Sequence, residues 1–159
     1  MEEVPAAEIA RFRAHVIGTL PQFAGGQFHV LSQGWDSLAL ECDGWIFKFP
    51  RTAEAEARLR REVAILGFLK PRVTMPLPHM VLNDGPVPFS QHLKIAGDSI
   101  ESDDYAKLDE GRRNALATRM AQLYAELHVL PLNRMQQVGA TGVDPWMAPD
   151  EIIAGAGPK

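Results

Sequence analysis

The chain has 159 residues, about the length of one domain, and 46% of them are hydrophobic and 23% charged. This composition is typical of a folded protein with one core and argues against a disordered chain or a fibrous repeat. The formal net charge of -4 provides no basic surface of the kind that neutralises nucleic-acid phosphates, so nucleic acid is not an expected partner.

The N-terminal residues lack the features of a secretion signal. Glu2 and Glu3 stand where such a signal needs positive charge, and no apolar run approaches the roughly 20 residues that span a bilayer. The single cysteine, Cys42, cannot form an internal disulfide and is expected to pack as a small apolar strand residue. We therefore predict a cytoplasmic protein with no membrane partner and no cysteine-based metal site.

The first half of the chain predicts one helix followed by short strands. Hydrophobic spacing indicates a helix over residues 5–20, whose apolar face contains Ile9, Phe12, Val16 and Leu20. Residues 28–31, 37–42 and 45–49 are rich in leucine, β-branched and aromatic side chains, which favours strands. The Asp-Gly pair at 43–44 between the last two runs is a strong signal for a two-residue hairpin.

A long helix is predicted over residues 53–69, with Thr52 as its N-cap and leucines and valine at helical spacing. Two further strands are expected at 79–82 and 87–90, and Pro86 and Pro88 confine the second to an edge or an irregular strand. Residues 91–97 form a connector. A second long helix follows over about 110–130, with an apolar stripe of Leu116, Met120, Leu123 and Leu127. Beyond Pro131 the pattern weakens to short pieces, with at most a helical turn after Asp150.

Two charged side chains stand out because they interrupt apolar patterns. Strand alternation places Lys48 on the same face as Ile46, opposite the flanking phenylalanines. Glu62 projects from the helical stripe that should face the sheet, and a buried carboxylate needs a cation. Lys48 is the nearest natural partner. Two alternatives remain open: Lys48 extends to water from the strand edge, or Glu62 lies at the edge of the stripe and pairs with Arg58.

The connection between the first two strands, residues 32–37, reads Ser-Gln-Gly-Trp-Asp-Ser. A turn that holds Gly34 and the short polar pair Asp36-Ser37 can direct backbone N–H groups and a hydroxyl into a concave space, as phosphate-binding loops do. A plain hairpin turn would read the same way. The order of a loop, a strand lysine and a helix glutamate is the order used by kinases of the protein-kinase type.

The segments QGWDSLAL, WIFKFPR, LRREVAIL, MPLPHMV, FSQHLKIAG and LYAELHVLP together resemble the N-terminal part of aminoglycoside phosphotransferase-like kinases. The resemblance is strongest to the branch that phosphorylates the 2''-hydroxyl and covers about residues 28–131. It implies an α+β fold: a protein-kinase-like N-terminal lobe, with an antiparallel sheet of about five strands and a packed helix, plus the first helices of an incomplete C-terminal lobe. The corresponding divisions are residues 1–91, a hinge at 92–97 and the beginning of the second lobe at 98–159.

The resemblance also implies the roles of individual residues. Residues 32–37 would be the phosphate loop, and its nucleotide contacts would come from Ser32, Gly34, Asp36 and Ser37, the last near the terminal phosphates. Lys48 would hold the α- and β-phosphates and Glu62 would hold Lys48. Leu31 and Ile46 would form an apolar wall for the base. The Leu93 carbonyl and the Ile95 N–H, two backbone groups of the hinge, would bind the edge of the base.

Two departures from the family pattern affect what we expect of the chain. The family's loop commonly begins with glycine where this chain has Ser32, which would stiffen the loop. The sequence also has no His-Gly-Asp motif with a downstream asparagine and no acidic magnesium motif; His128 is followed by Val-Leu-Pro and is expected to be a packed or surface histidine. Phosphoryl transfer needs a residue that orients the hydroxyl and metal ions held on carboxylates.

We therefore interpret the chain as the nucleotide-binding part of a small-molecule kinase that uses ATP or GTP, inactive by itself. Mg²⁺ is expected only together with the remainder of the second lobe, and the acceptor would be a small molecule with a hydroxyl group, such as an aminoglycoside, choline or a sugar. The alternative is a non-catalytic kinase-like module for binding or dimerisation, which would form a homodimer through the apolar stripe of the second long helix.

Overall fold

A computed structural model describes residues 4–33, 36–97 and 100–140 of the chain. Within these residues it contains five α-helices, five strands and a short 3-10 helix at Pro21–Phe23. The elements follow the chain in this order: α1 (Ala6–Thr19), β1 (His29–Gln33), β2 (Ser37–Cys42), β3 (Trp45–Pro50), α2 (Ala53–Leu69), β4 (Val81–Asn83), β5 (Phe89–Leu93), α3 (Ser102–Lys107), α4 (Glu110–His128) and α5 (Leu132–Gln137).

The five strands form one antiparallel sheet in the order β1-β2-β3-β5-β4. The predicted hairpin between β2 and β3 is confirmed: Cys42 pairs with Trp45, and Asp43 and Gly44 both have positive φ, at 50° and 77°. Positive φ at both central residues is the geometry of a type I′ turn, which matches the right-handed twist of the flanking strands. The turn therefore fixes the register of β2 and β3.

The hydrophobic core lies between one face of the sheet and α1. Alternation along β2 and β3 directs Leu38, Leu40, Phe47 and Phe49 to this face, and all four are fully buried. Phe12 of α1 stacks on Phe49 with ring centroids 4.2 Å apart. The predicted apolar face of α1 is thus confirmed, with Phe12 and Val16 buried and Ile9 and Leu20 packed around them. Cys42 is also buried, as expected, and burial raises the pKa of its thiol.

The opposite face of the sheet carries Lys48 and contacts α2. The Thr52 side chain caps α2 by accepting a hydrogen bond from the Ala55 N–H at 3.1 Å, as its position before the helix predicts. Ala55 and Leu59 are the buried residues of α2, so the helix packs through its first two turns. Its larger apolar side chains further along the helix, Val63, Ile65, Leu66, Phe68 and Leu69, are half-buried.

The last two strands and the terminal helices differ from their predicted bounds. β4 and β5 begin two residues later than predicted, and for β5 the reason is that Pro86 and Pro88 lie before the strand and not inside it. The prediction of an edge or irregular strand was therefore wrong: β5 pairs with both β3 and β4, and β4 is the edge strand. β5 consequently includes His92 and Leu93, the first two residues of the predicted hinge. α3 and α5 have six residues each and carry too little periodicity to be predicted. The position of the helical turn expected after Asp150 lies outside the described residues.

α3, α4 and α5 contain no buried residue. α4 nevertheless begins as predicted, with Asp109 accepting a hydrogen bond from the Arg112 N–H at 2.8 Å. A contact with the first half of the chain is made by Glu126 of α4, which accepts hydrogen bonds from the Thr74 N–H and hydroxyl. Of the helices described, none combines the length and apolar character that a membrane span requires.

Candidate functional site

The predicted pairing of Lys48 with Glu62 is present. Lys48 lies in the middle of β3, and its Nζ donates a hydrogen bond to Oε2 of Glu62 in α2 at 2.7 Å. The ion pair joins the sheet to the helix, because Lys48 belongs to β3 and Glu62 to α2. Of the alternatives, a Lys48 that only extends to water and a Glu62 that pairs with Arg58 are both wrong, because Lys48 pairs with Glu62 and Arg58 pairs with Asp36.

The pair is more exposed than the sequence suggested. The side chains of Lys48 and Glu62 are 32% and 41% exposed, so Glu62 is not the buried carboxylate that the helical stripe predicted. The reason is that α2 packs against the sheet mainly through Ala55 and Leu59, which leaves the third turn of the helix beside an open space. A half-exposed ion pair is reachable by a ligand from solution.

That open space is a cavity of about 170 Å³ between the end of the β1–β2 connection, β3 and α2. Its wall includes Asp36, Ser37, Lys48, Arg58 and Glu62. The structure therefore brings two of the predicted loop residues to the same cavity as the predicted ion pair. Ser32 belongs to β1, where its backbone pairs with Ala39, and Gly34 lies outside the described residues.

The residues predicted to contact a base lie further along the sheet. Ile46 is half-buried and shares the face of Lys48, while Leu31 is 44% exposed at a β-bulge between Val30 and Ser32. Leu93 ends β5 beside Trp45, and Ile95 follows in the connector. Leu93 and Ile95 are both exposed, and whether these four residues contact a nucleotide stays a prediction.

Three side chains near the site were not predicted to be site residues, although Arg58 was considered as a partner of Glu62 and residue 92 as part of the hinge. Arg58 of α2 forms an ion pair with Asp36, with Nη2 and Oδ1 2.7 Å apart. Ser90 of β5 lies opposite Lys48 and is completely buried, with no hydrogen-bond partner for its hydroxyl among the described residues. His92 lies opposite Ile46 and is half-buried. Helical spacing brought Arg58 into consideration, because it lies one turn before Glu62, but gave no sign of its pairing with Asp36. The positions of Ser90 and His92 required the register of β3 with β5.

His92 is coupled electrostatically to the ion pair. Its pKa lies below the ordinary histidine value, chiefly because burial disfavours the charged ring and also because the Lys48 ammonium repels it; the Glu62 carboxylate acts in the opposite direction. Its Nδ1 atom is buried without a hydrogen-bond partner in the described part of the chain. The neutral ring is therefore the favoured form at this end of the site.

The described residues do not suit a metal ion. Across residues 4–33, 36–97 and 100–140 there is no group of three or more histidine, cysteine, aspartate or glutamate side chains that could hold one. The two carboxylates of the cavity, Asp36 and Glu62, are each already paired with a cation. The Mg²⁺ that the resemblance implies would thus need ligands other than the described carboxylates of this cavity.

Solved structures of aminoglycoside phosphotransferases share this fold. The ADP-bound aminoglycoside phosphotransferase APH(2'')-Ib is 26% identical with a TM-score of 0.65, over 74% of this chain and 40% of its own. The GDP complex of aminoglycoside 2'-phosphotransferase-IIIa is 20% identical with a TM-score of 0.77, over 91% and 49%. The streptomycin-ATP-APH(2'')-IIa ternary complex is 21% identical with a TM-score of 0.69, over 98% and 49%.

The chain thus spans about half the length of the solved structures that it matches. No curated protein sequence matches it. The family model described as "APH: Phosphotransferase enzyme family" matches residues 27–152, which include the whole sheet, α2 and α4. By this match, and in agreement with the kinase-like N-terminal lobe predicted from its motifs, the chain belongs to the phosphotransferase enzyme family.

Proposed function

We propose that this chain is the nucleotide-binding part of an aminoglycoside phosphotransferase-like small-molecule kinase of the antibiotic-resistance type. In the whole enzyme the γ-phosphoryl group of ATP or GTP would pass to a hydroxyl of the acceptor. Residues 1–91 would form the first lobe, 92–97 the hinge and 98–159 the beginning of the second lobe. The lobe's task is to bind and orient the nucleotide, since in-line transfer depends mostly on positioning and charge neutralisation.

The Lys48–Glu62 contact carries this proposal. A lysine in mid-strand whose ammonium is fixed by a carboxylate from the packed helix, at 2.7 Å, is placed to neutralise phosphate charge beside an open cavity. The carboxylate orients the ammonium while the remaining donors of Nζ are available for phosphate oxygens. The adjoining residues Asp36 and Ser37 place the end of the β1–β2 connection at the same cavity.

The names of the similar structures support the nucleotide as ligand. They describe complexes with ADP, with GDP and with ATP together with streptomycin. Both adenine and guanine nucleotides therefore occur among proteins of this fold, so the proposed ligand is ATP or GTP. The backbone groups of Leu93 and Ile95 are the proposed contacts to the edge of the base, beside an apolar wall of Leu31 and Ile46.

Titration calorimetry of the chain with ADP and with GDP tests the proposal. We expect Lys48→Ala to weaken binding by roughly tenfold or more, because a hydrogen bond to a charged group contributes about 1.5–3 kcal/mol. Lys107→Ala is the matched control, since Lys107 lies on α3 with a side chain that is 74% exposed. Equal affinity in the Lys48 variant and the parent chain, with both folded by circular dichroism, would contradict the assignment.

Transfer to an acceptor is a separate part of the proposal. The sequence contains no His-Gly-Asp segment, and the described carboxylates of the site are occupied by cations. We therefore expect the chain alone to bind nucleotide without phosphorylating an aminoglycoside. Nucleotide-dependent phosphorylation of kanamycin by the purified chain, measured by transfer of labelled phosphate, would overturn this expectation.

The apolar stripe of α4 is only partly covered, since Leu116, Leu123 and Leu127 are half-buried, and this favours a second candidate function, a non-catalytic module that self-associates. Met120 is 47% exposed and α4 buries none of its residues. Size-exclusion chromatography with light scattering separates the two candidates. A single defined dimer that does not bind nucleotide would favour the module, whereas nucleotide binding at any oligomeric state favours the kinase lobe.

A further inference from the structure

A second cation shares the cavity with Lys48. Arg58 and Asp36 form an ion pair at 2.7 Å, and both residues line the cavity together with Lys48 and Glu62. On α2, Arg58 and Glu62 are four residues apart, so the helix presents them on the same face one turn from each other. The cavity is therefore bordered by two neighbouring cations, each held by one carboxylate.

The ion pair between Arg58 and Asp36 can separate at little cost in stability. The two side chains are 49% and 58% exposed, and ion pairs of that exposure contribute little to stability because water competes for both partners. The backbone of Asp36 does not depend on this contact, because its carbonyl accepts a separate hydrogen bond from the Arg51 N–H at 2.8 Å. Arg58 can thus leave the carboxylate while the end of the connection stays in place.

A phosphate chain is a better partner for Arg58 than Asp36 is. A nucleoside diphosphate or triphosphate carries several negative charges, and a guanidinium can bind two phosphate oxygens at once through its planar pair of N–H groups. Lys48, as a compact point charge, supplies neutralisation without that directional pairing. Lys48 and Arg58 line the same cavity of about 170 Å³, so a chain of phosphates bound in it can contact both cations.

We propose that Arg58 is a second phosphate-binding residue of the site, held by Asp36 until the phosphates of a nucleotide displace that carboxylate. The inference rests on the proposed nucleotide-binding function and adds a residue to it. Asp36 then competes with the ligand for Arg58. It follows that removing Arg58 and removing the charge of Asp36 change phosphate affinity in opposite directions.

The opposite directions of the two affinity changes distinguish a phosphate-binding role of Arg58 from a purely structural role of its ion pair with Asp36. In calorimetric titrations of the full chain, we expect Arg58→Ala to weaken ADP binding about tenfold and to leave adenosine binding unchanged. Arg58→Lys should retain part of the ADP affinity, because it keeps the charge and loses the paired donors. Asp36→Asn should strengthen ADP binding a few-fold. A clasp that merely holds the loop would make Arg58→Ala and Asp36→Asn weaken binding alike, which would overturn the inference.

Two controls separate this inference from the proposed function. Arg60→Ala removes the same charge from α2, but Arg60 pairs with Glu56 and Asp84 away from the cavity, so ADP affinity should not change. Lys48→Ala reports on the site itself. If Lys48→Ala weakens ADP binding and Arg58→Ala does not, the role of Arg58 is wrong and the nucleotide site stands. If the parent chain binds neither ADP nor GDP at millimolar concentration, both proposals fail.

Discussion

The sheet half of the chain and its terminal helices use apolar side chains in different ways. Between α1 and the sheet, phenylalanines and leucines are completely buried, whereas Met120 and Tyr124 of α4 are 47% and 55% exposed. Burial of apolar area is the main favourable contribution to folding. The difference indicates that burial in the sheet with α1 and α2 provides most of the favourable free energy of folding, whereas α3, α4 and α5 contain no buried residue.

The largest effect that can test this comparison comes from a matched pair of aromatic substitutions. Phe47 is fully buried and Tyr124 is half exposed. We expect Phe47→Ala to lower the free energy of unfolding by about 3–5 kcal/mol, through lost burial and the cavity left behind, and Tyr124→Ala to change it by less than about 0.5 kcal/mol. Urea denaturation followed by circular dichroism measures both. Similar losses in the two variants would show that α4 is part of the core.

The same contrast explains how much of the molecule could be predicted from sequence. The faces of β2 and β3, α1 and the turn at Asp43-Gly44 were predictable, because alternation, helical spacing and turn chemistry all point to one arrangement there. The Lys48–Glu62 contact was also predictable, because each of these charged side chains interrupts an apolar pattern. Its partial exposure was not, because that depends on how far along α2 the packing against the sheet extends.

Other parts of the site depend on contacts between segments that are distant in sequence. The partner of Arg58 is Asp36 in the β1–β2 connection, and nothing in helical spacing favours it over Glu62. His92 reaches the site because β5 pairs with β3 in a register that places it opposite Ile46. The prolines at 86 and 88 obscured that register by concealing where β5 begins.

The N-caps of α2 and α4 test the same difference between the two regions through a smaller effect on stability. Thr52 caps α2 and Asp109 caps α4, each by accepting a backbone N–H bond three residues ahead. Loss of an N-cap costs about 1 kcal/mol in a typical helix. We expect Thr52→Ala to lower the free energy of global unfolding by about that amount, because α2 packs on the sheet. Asp109→Ala should instead reduce helical content near α4 and leave the unfolding midpoint nearly unchanged.

Circular dichroism and hydrogen exchange distinguish the two outcomes for the caps. Faster exchange confined to the first turn of α4 in Asp109→Ala, with no change across the sheet, would agree with a loosely attached helix. Equal shifts of the unfolding midpoint in the two variants would contradict the comparison.

His92 should give the stability of the sheet half a pH dependence. Burial keeps the pKa of His92 below its ordinary value of 6.5, so the unfolded chain binds a proton more readily than the folded chain does. Stability therefore falls as the pH is lowered through the range below about 6.5, until the folded form also takes up the proton. We expect the thermal midpoint to decrease between pH 7.5 and 5.5, and to decrease less in His92→Gln. An identical decrease in both proteins would exclude His92 as the cause.

The smallest expected effect concerns the contact between the two regions at Thr74 and Glu126. The Glu126 carboxylate accepts hydrogen bonds from the Thr74 hydroxyl and N–H at 2.7 and 2.8 Å. These bonds hold the pKa of Glu126 below the ordinary value of 4.5, and the bond from the Thr74 hydroxyl contributes more than the bond from the backbone N–H. Because the pKa is lowered on folding, the contact's contribution is present above about pH 4.5 and is lost as the pH falls through the lower, folded value.

Titration by NMR can follow that contact directly. We expect the Thr74 amide resonance to move as the pH falls from 6 to 3 and to be insensitive to pH in Glu126→Gln, where the amide oxygen cannot titrate. The Ala24 amide is the internal control, because its acceptor is the backbone carbonyl of Pro21. If the Thr74 resonance moves equally in the Glu126→Gln variant, Glu126 does not hold α4 to the sheet half, and the attachment of the terminal helices must lie in other contacts.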